Sequence, residues 1–230
     1  MKVVLFDIDG TLLLTDGAGR RAVYRALEDV YETSVPDGIQ FDGKTDPQIV
    51  RELMQRAGLS DERIDERLQQ VLDRYVGLLQ AELSRFDASG ALMPGVTPLL
   101  EALEAREDVL LGLLTGNVKH GAAAKLDAVG IGTTRFRIGA FGDDHEKRPE
   151  LPAIARTRAE ELLGHPVRGD DIVIIGDTPA DMGCGLGIGA RAIGVATGRY
   201  SVDELRACQP LAVFKDLSNT SAVLRTIVET

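Results

Sequence analysis

The chain has no tryptophan, two cysteines and three histidines in 230 residues. Cys184 and Cys208 form no Cys-x-x-Cys spacing, which excludes a disulfide framework and a thiolate zinc site and fits a reducing cytoplasm. His120, His145 and His165 are too scattered to read as a ligand set. With only four Tyr and six Phe, the core must be built from Leu, Val, Ile and Ala. No apolar run approaches the ~18 residues of a membrane span, and the N-terminal run is cut by Asp7 before it reaches signal-peptide length. Positive charge is also short: 26 Lys and Arg face 36 Asp and Glu, a net charge of −10. That balance argues against nucleic acid or an anionic membrane as partner, because phosphate-rich surfaces are bound by clustered cations. A small anionic ligand stays possible if a local pocket supplies the cation.

What the sequence does contain is four short signatures beside apolar runs: Phe6-Asp7-Ile8-Asp9-Gly10-Thr11, Leu114-Thr115-Gly116-Asn117, Lys147-Arg148-Pro149 and Gly176-Asp177-Thr178-Pro179-Ala180-Asp181. Asp7 ends Lys2-Val3-Val4-Leu5-Phe6, a run too short for a helix, so its carboxylate belongs at the carboxyl edge of a buried strand, where ligands bind open α/β sheets. If the strand persists, Asp7 and Asp9 share a face, and their repulsion calls for a cation between them or for separated proton affinities. Asp177 follows Ile172 to Ile175 and reaches the same edge. Taken alone, Thr115-Gly116-Asn117 also reads as a helix cap, and Thr178 to Asp181 as a helix start with an acidic first turn.

Length suits a core plus an insert. Residues 15–90 are helical and charge-rich: helices are expected over Arg20 to Tyr31, over Pro47 to Ala57 with Asp46 as N-cap, and from Ser60 through Phe86 along one apolar stripe. From Gly90 onward helix and strand patterns alternate, with strands expected near 109–114, 137–141, 172–175, 192–195 and 211–214. Alternation of this kind predicts an α/β fold, a Rossmann-like parallel sheet with helices on both faces, formed by residues 1–14 and 91–230 and carrying a small helical domain at 15–90. Hinges fall near Leu13 to Gly19 and Asp87 to Pro94. Gly183 to Ala190 contains a Gly-x-Gly-x-x-Ala match too far beyond its strand for a dinucleotide site, and reads as a tightly packed Gly-rich helix.

In order and spacing these signatures resemble the haloacid dehalogenase superfamily, most closely its phosphoglycolate phosphatase and β-phosphoglucomutase-like branch. The resemblance implies a Mg²⁺-dependent phosphatase for small phosphomonoesters, phosphoglycolate or a sugar phosphate. It makes Asp7 the nucleophile and Asp9 the general acid and base. The Asp7 carboxylate, the Asp9 main-chain carbonyl and Asp177 become Mg²⁺ ligands, with Asp181 in support. Thr115, Gly116, Asn117 and a cation before Pro149 bind the phosphoryl group. The family usually has Lys there; by position Arg148 is preferred to Lys147. The insert becomes a cap closing over substrate, with Arg20, Lys44 and Thr45 as specificity candidates. Expected partners are a small phosphorylated metabolite and no nucleic acid or membrane, in a cytoplasmic monomer or homodimer. Alternatives are a phosphomutase and a non-catalytic regulatory protein on the same fold; a dehalogenase has no use for Asp9 or a metal.

Overall fold

The computed structural model describes residues 1–229. Strand β1 (Lys2–Phe6) leads into four helices, α1 (Ala18–Tyr31), α2 (Asp46–Arg56), α3 (Asp61–Asp65) and α4 (Leu68–Leu83). There follow α5 (Val96–Glu104), β2 (Val109–Leu114), α6 (Lys119–Ala128), β3 (Ile138–Ala140), α7 (Leu151–Leu163) and β4 (Ile172–Gly176). The chain continues through α8 (Pro179–Cys184), β5 (Arg191–Val195), α9 (Val202–Ala207), β6 (Ala212–Phe214) and α10 (Thr220–Val228).

The six strands form one sheet in the order β3-β2-β1-β4-β5-β6, every pair parallel. Chain order reverses around β1, the switch point at which an open α/β sheet leaves a crevice beyond its carboxyl edge. Alternation sends Val4 and Phe6 to one face, packed with α5 and α10, and Val3 and Leu5 to the other, packed with α7. Phe6 is level with Leu113 on one side and Ile175 on the other. Asp7, Thr115 and Asp177 therefore emerge within a residue or two of one another along adjacent strands.

Helices α1 to α4 bury a separate apolar cluster around Leu27, Leu53, Tyr75 and Leu79, joined from the sheet side by Val118. The two connections to it run side by side: Leu13 pairs antiparallel with Leu92, Leu14 N–H donates to Ala91 O (2.9 Å) and Met93 N–H to Leu12 O (2.9 Å). Asp16 and Gly17 take left-handed conformations (φ 46° and 73°) at the first of them.

Three local expectations differ from the structure. The Ser60-to-Phe86 stripe is two helices, broken at Glu66 and Arg67. The break is held by the end of α1, where Tyr31 Oη donates to Ile64 O (2.9 Å) and Arg67 Nη1 donates to Val30 O (2.7 Å), partners a continuous helix would not offer. The N-cap of α2 is Thr45, whose Oγ1 accepts from Gln48 N–H (3.2 Å); Asp46 is the first helical residue and is free to point elsewhere. The Gly-rich segment stops being α-helical at Cys184, continues as a 3-10 turn over Leu186–Ile188 and ends at left-handed Gly189 (φ 73°). No helix among the described residues is long and apolar enough to cross a membrane.

Candidate active site

Asp7, Asp177 and Asp181 each bring a carboxylate oxygen to one point, all within 4.8 Å of one another, and all three are buried. Asp7 follows β1 and Asp177 follows β4, hydrogen-bonded neighbours, so the two carboxylates arrive side by side. Asp181 enters from α8 through a reciprocal cap: Thr178 N–H donates to Asp181 Oδ2 (3.0 Å) and Asp181 N–H to Thr178 Oγ1 (3.3 Å). The helix start expected of this motif is present, and the same residue brings its carboxylate to Asp7 and Asp177. Gly10 (φ 80°) passes so close that a Cβ there would strike the Asp177 carboxylate, which Thr11 Oγ1 steadies at 3.1 Å.

Arg148, not Lys147, enters this cluster. Its Nη2 lies 3.2 Å from Asp7 Oδ1 and bonds Asp181 Oδ1, while Lys147 is exposed. One guanidinium pairs with two of three clustered, buried carboxylates, which leaves an excess of negative charge in the site. Burial, with Asp181 and Asp9 adding and Arg148 opposing, pushes the Asp7 carboxyl up to about 6. Burial, then Asp181 and Asp7, pushes Asp177 up to about 8. Arg148 Nε is buried without a partner among the described residues. Removing this guanidinium leaves the carboxylates unscreened, so Arg148→Met is expected to lower the unfolding free energy at pH 8, measured in urea, by about 3–5 kcal/mol. An unchanged midpoint would contradict that charge balance.

Asp9 is not one of the carboxylates that meet at Asp7, although it lies near enough to raise the Asp7 carboxyl. The strand ends at Phe6 and the backbone turns back, with Leu12 and Leu13 N–H groups donating to Ile8 O. The pleat that would align the two carboxylates is lost, and Asp9 faces a second cluster. Lys125 Nζ lies 2.7 Å from each Asp9 oxygen and 2.7 Å from Asn117 Oδ1. Asn117 Nδ2 donates to Asp9 Oδ2 (2.7 Å) and to Thr115 Oγ1 (2.8 Å). Asp46, from α2, accepts from Val118 N–H (2.8 Å) at the start of α6. Burial outweighs nearby Lys125 and pushes the Asp46 carboxyl up to about 6. Sequence reasoning passed over Lys125 and this role of Asp46. A signal was available for the first: Lys125 shares the buried face of α6 with Ala122 and Leu126, and a lysine on such a face needs a counter-charge.

Between the sheet edge and the four helices lies a cavity of about 220 Å³ lined by Asp7, Asp9, Arg20, Phe41, Tyr75 and Thr115, among others. The backbone of Gly116 sits so close to Lys44 O that a Cβ would collide with it. Arg20 stacks over Phe41 (3.9 Å to the ring centroid) and donates to Ile39 O (3.3 Å), and no acidic side chain among the described residues pairs with it. Lys44 also lines the cavity, its ammonium bonded to Glu52. Thr45 does not; it is fully buried and donates to Glu146 O (2.5 Å), which fastens α2 to the loop ahead of Arg148.

Comparison with known proteins places the chain in a family and its fold among solved structures. The chain is 27% identical to "Probable phosphatase IndB" of Dickeya dadantii, over 99% of this chain and 95% of that one. It is 29% identical to a "5'-nucleotidase" of Pseudomonas aeruginosa, over 98% and 95%. Among solved structures, a β-phosphoglucomutase of Clostridium difficile superposes with a TM-score of 0.75 at 15% identity, covering 100% of this chain and 98% of the other, a likeness of fold. A family model for haloacid dehalogenase-like hydrolases matches residues 1–189. The buried carboxylates at the switch point of this parallel sheet are therefore those of an enzyme, and the chain belongs to the haloacid dehalogenase-like hydrolases.

Proposed function

We propose that the chain is a Mg²⁺-dependent phosphatase of small phosphomonoesters that works through an aspartyl-phosphate on Asp7. The observation that carries this reading is the meeting of the Asp7, Asp177 and Asp181 carboxylates, with Arg148 paired to Asp7 and Asp181 and Asp9 paired to Lys125 in the same cavity. The donor set fits the ion: buried, acceptor-only carboxylate oxygens with an uncompensated negative charge suit a hard divalent cation. The Asp7 and Asp177 carboxylates and the Asp9 main-chain carbonyl would hold it, with Asp181 orienting Arg148 or a water. When bound, Mg²⁺ supplies charge neutralisation, which lets an anionic oxygen approach an anionic phosphorus.

In the first half-reaction an Asp7 oxygen forms a bond to phosphorus as the bond from phosphorus to the ester oxygen breaks, and Asp9 gives that oxygen its proton. In the second, Asp9 takes a proton from water, whose oxygen attacks phosphorus and returns Asp7 as a carboxylate. Thr115 Oγ1 and the backbone N–H groups at Gly116 and Asn117 donate to phosphoryl oxygens, and Arg148 pairs with the same group. Residues 15–90 act as a cap that excludes water while the connections at Leu13 and Leu92 flex.

The cavity suits a small molecule such as phosphoglycolate or a sugar phosphate, and Arg20, with no acidic partner among the described residues, favours the one with a second anionic group, the carboxylate of phosphoglycolate. Arg20→Ala is expected to lower kcat/KM about tenfold for phosphoesters bearing a carboxylate and far less for those without one. A loss shared equally by both classes would remove Arg20 from substrate recognition. A metabolite panel that includes 5'-nucleotides, assayed with and without Mg²⁺, tests the whole reading. Saturable, Mg²⁺-requiring release of free phosphate is expected; isomerised sugar phosphate as the main product would make the chain a mutase.

A further inference from the structure

Lys125 is 5% exposed, and an ammonium in such surroundings is tolerated only when its charge and donors are matched. They are: its three N–H groups meet three oxygens, Asp9 Oδ1, Asp9 Oδ2 and Asn117 Oδ1, each at 2.7 Å. Lys125 lies on α6 and Asp9 beyond β1, 116 positions apart in the chain, so the pair is a product of the fold and not of local sequence.

The arrangement has two consequences. Because Asn117 Oδ1 is turned to Lys125, Nδ2 must point at Asp9 and at Thr115 Oγ1. Thr115 Oγ1 also accepts from Asn117 N–H (3.3 Å), so both its lone-pair positions are filled and its own hydrogen is left to donate into the cavity. Lys125 also gives Asp9 a counter-charge of its own, separate from the guanidinium that pairs with Asp7 and Asp181.

We infer that Lys125 is the positioning residue of Asp9: held to both its oxygens at 2.7 Å, it fixes the carboxylate on the leaving-group side of the cavity. The inference rests on the proposed phosphatase reading and extends it to a residue outside the four signatures. The proton passes from Asp9 to the ester oxygen and returns to Asp9 from water, so the lysine neither gains nor loses one.

An ester oxygen that leaves as an alkoxide needs protonation, whereas p-nitrophenolate leaves without it. kcat/KM reports the steps through transfer to Asp7, so its dependence on leaving group isolates the acid function of Asp9 from its later role as base. Lys125→Met is expected to lower kcat/KM for glycerol phosphate by roughly 100-fold and for p-nitrophenyl phosphate by less than about 5-fold, with Lys125→Arg recovering much of the loss. Circular dichroism and a thermal melt establish that the variant is folded. Lys125→Gln, closer in size and polarity, carries the same expectation if the methionine variant is not. Equal losses on both substrates would overturn the inference, as would a raised KM at unchanged kcat, which would make Lys125 a substrate contact. Wild-type protein inactive on both substrates would instead remove the phosphatase reading beneath it.

Discussion

Asp7→Asn is expected to reduce kcat by roughly four orders of magnitude or more while leaving the protein folded. Loss on that scale follows from the role: an amide cannot form the acyl phosphate, and no other group near Arg148 replaces it, because Asp177 and Asp181 are tied to Thr11 and Thr178. Retention of the fold follows from the charge balance. Asp7 is one of three clustered, buried carboxylates with a single guanidinium among them, and its neutral isostere relieves repulsion with Asp177 and Asp181 while Arg148 keeps its bond to Asp181. In metal-free buffer at pH 8 the variant should therefore melt no lower than wild type. Appreciable turnover by a folded variant would remove Asp7 from the reaction. A large drop in Tm at full occupancy of the fold would show that its charge stabilises the protein instead.

The same excess of negative charge predicts an unusual pH dependence of stability in the metal-free protein. Asp7 and Asp46 ionise near pH 6 and Asp177 near pH 8 in the folded state, all above the ordinary carboxylate value near 4 of the unfolded chain. Raised folded values mean that the folded state holds protons the unfolded state has already released. The stabilisation is complete below about pH 4 and is lost as the pH rises through the folded values. For Asp177 alone the loss between pH 5 and 8.5 is on the order of 4 kcal/mol, and for a chain of this size that corresponds to a fall in Tm of about 10 °C. Mg²⁺ binds the deprotonated carboxylates, so its addition should raise Tm more at pH 8.5 than at pH 5. Melts recorded in chelator and in Mg²⁺ across this range check both statements; a Tm indifferent to pH and to the ion would contradict the crowding of Asp7, Asp177 and Asp181.

Much of this fold could be read from the chain because parallel sheets bury both faces of their strands. Ile172 to Ile175 and Val109 to Leu114 are unbroken apolar runs that suit little else, and the acidic or hydroxyl residue ending each run marks the carboxyl edge. Arg148 was legible from its place before Pro149. What escaped depends on long-range geometry. The turning of Asp9 toward Lys125 and Asn117 follows where the backbone folds back onto Ile8 O, a turn that Gly10 permits but does not announce. The helix break at Glu66 and Arg67 depends on Tyr31, far along α1, offering a hydroxyl to Ile64 O. Thr45 read as a specificity residue because it lies in a polar turn, yet its hydroxyl is spent between Gln48 N–H and Glu146 O, contacts no local pattern encodes. Lys125 sits in an otherwise ordinary helix, and only the tertiary fold supplies Asp9 as its counter-charge.

The central claim is that an Asp7 oxygen takes the phosphoryl group, and trapping the intermediate tests it most directly. Protein mixed with a phosphomonoester and Mg²⁺, quenched in acid within a turnover and reduced with borohydride, should yield homoserine at position 7 and at no other aspartate when its peptides are sequenced by mass spectrometry. Homoserine at Asp9, Asp177 or Asp181, or phosphate released at full rate with Asp7 never labelled, would contradict it.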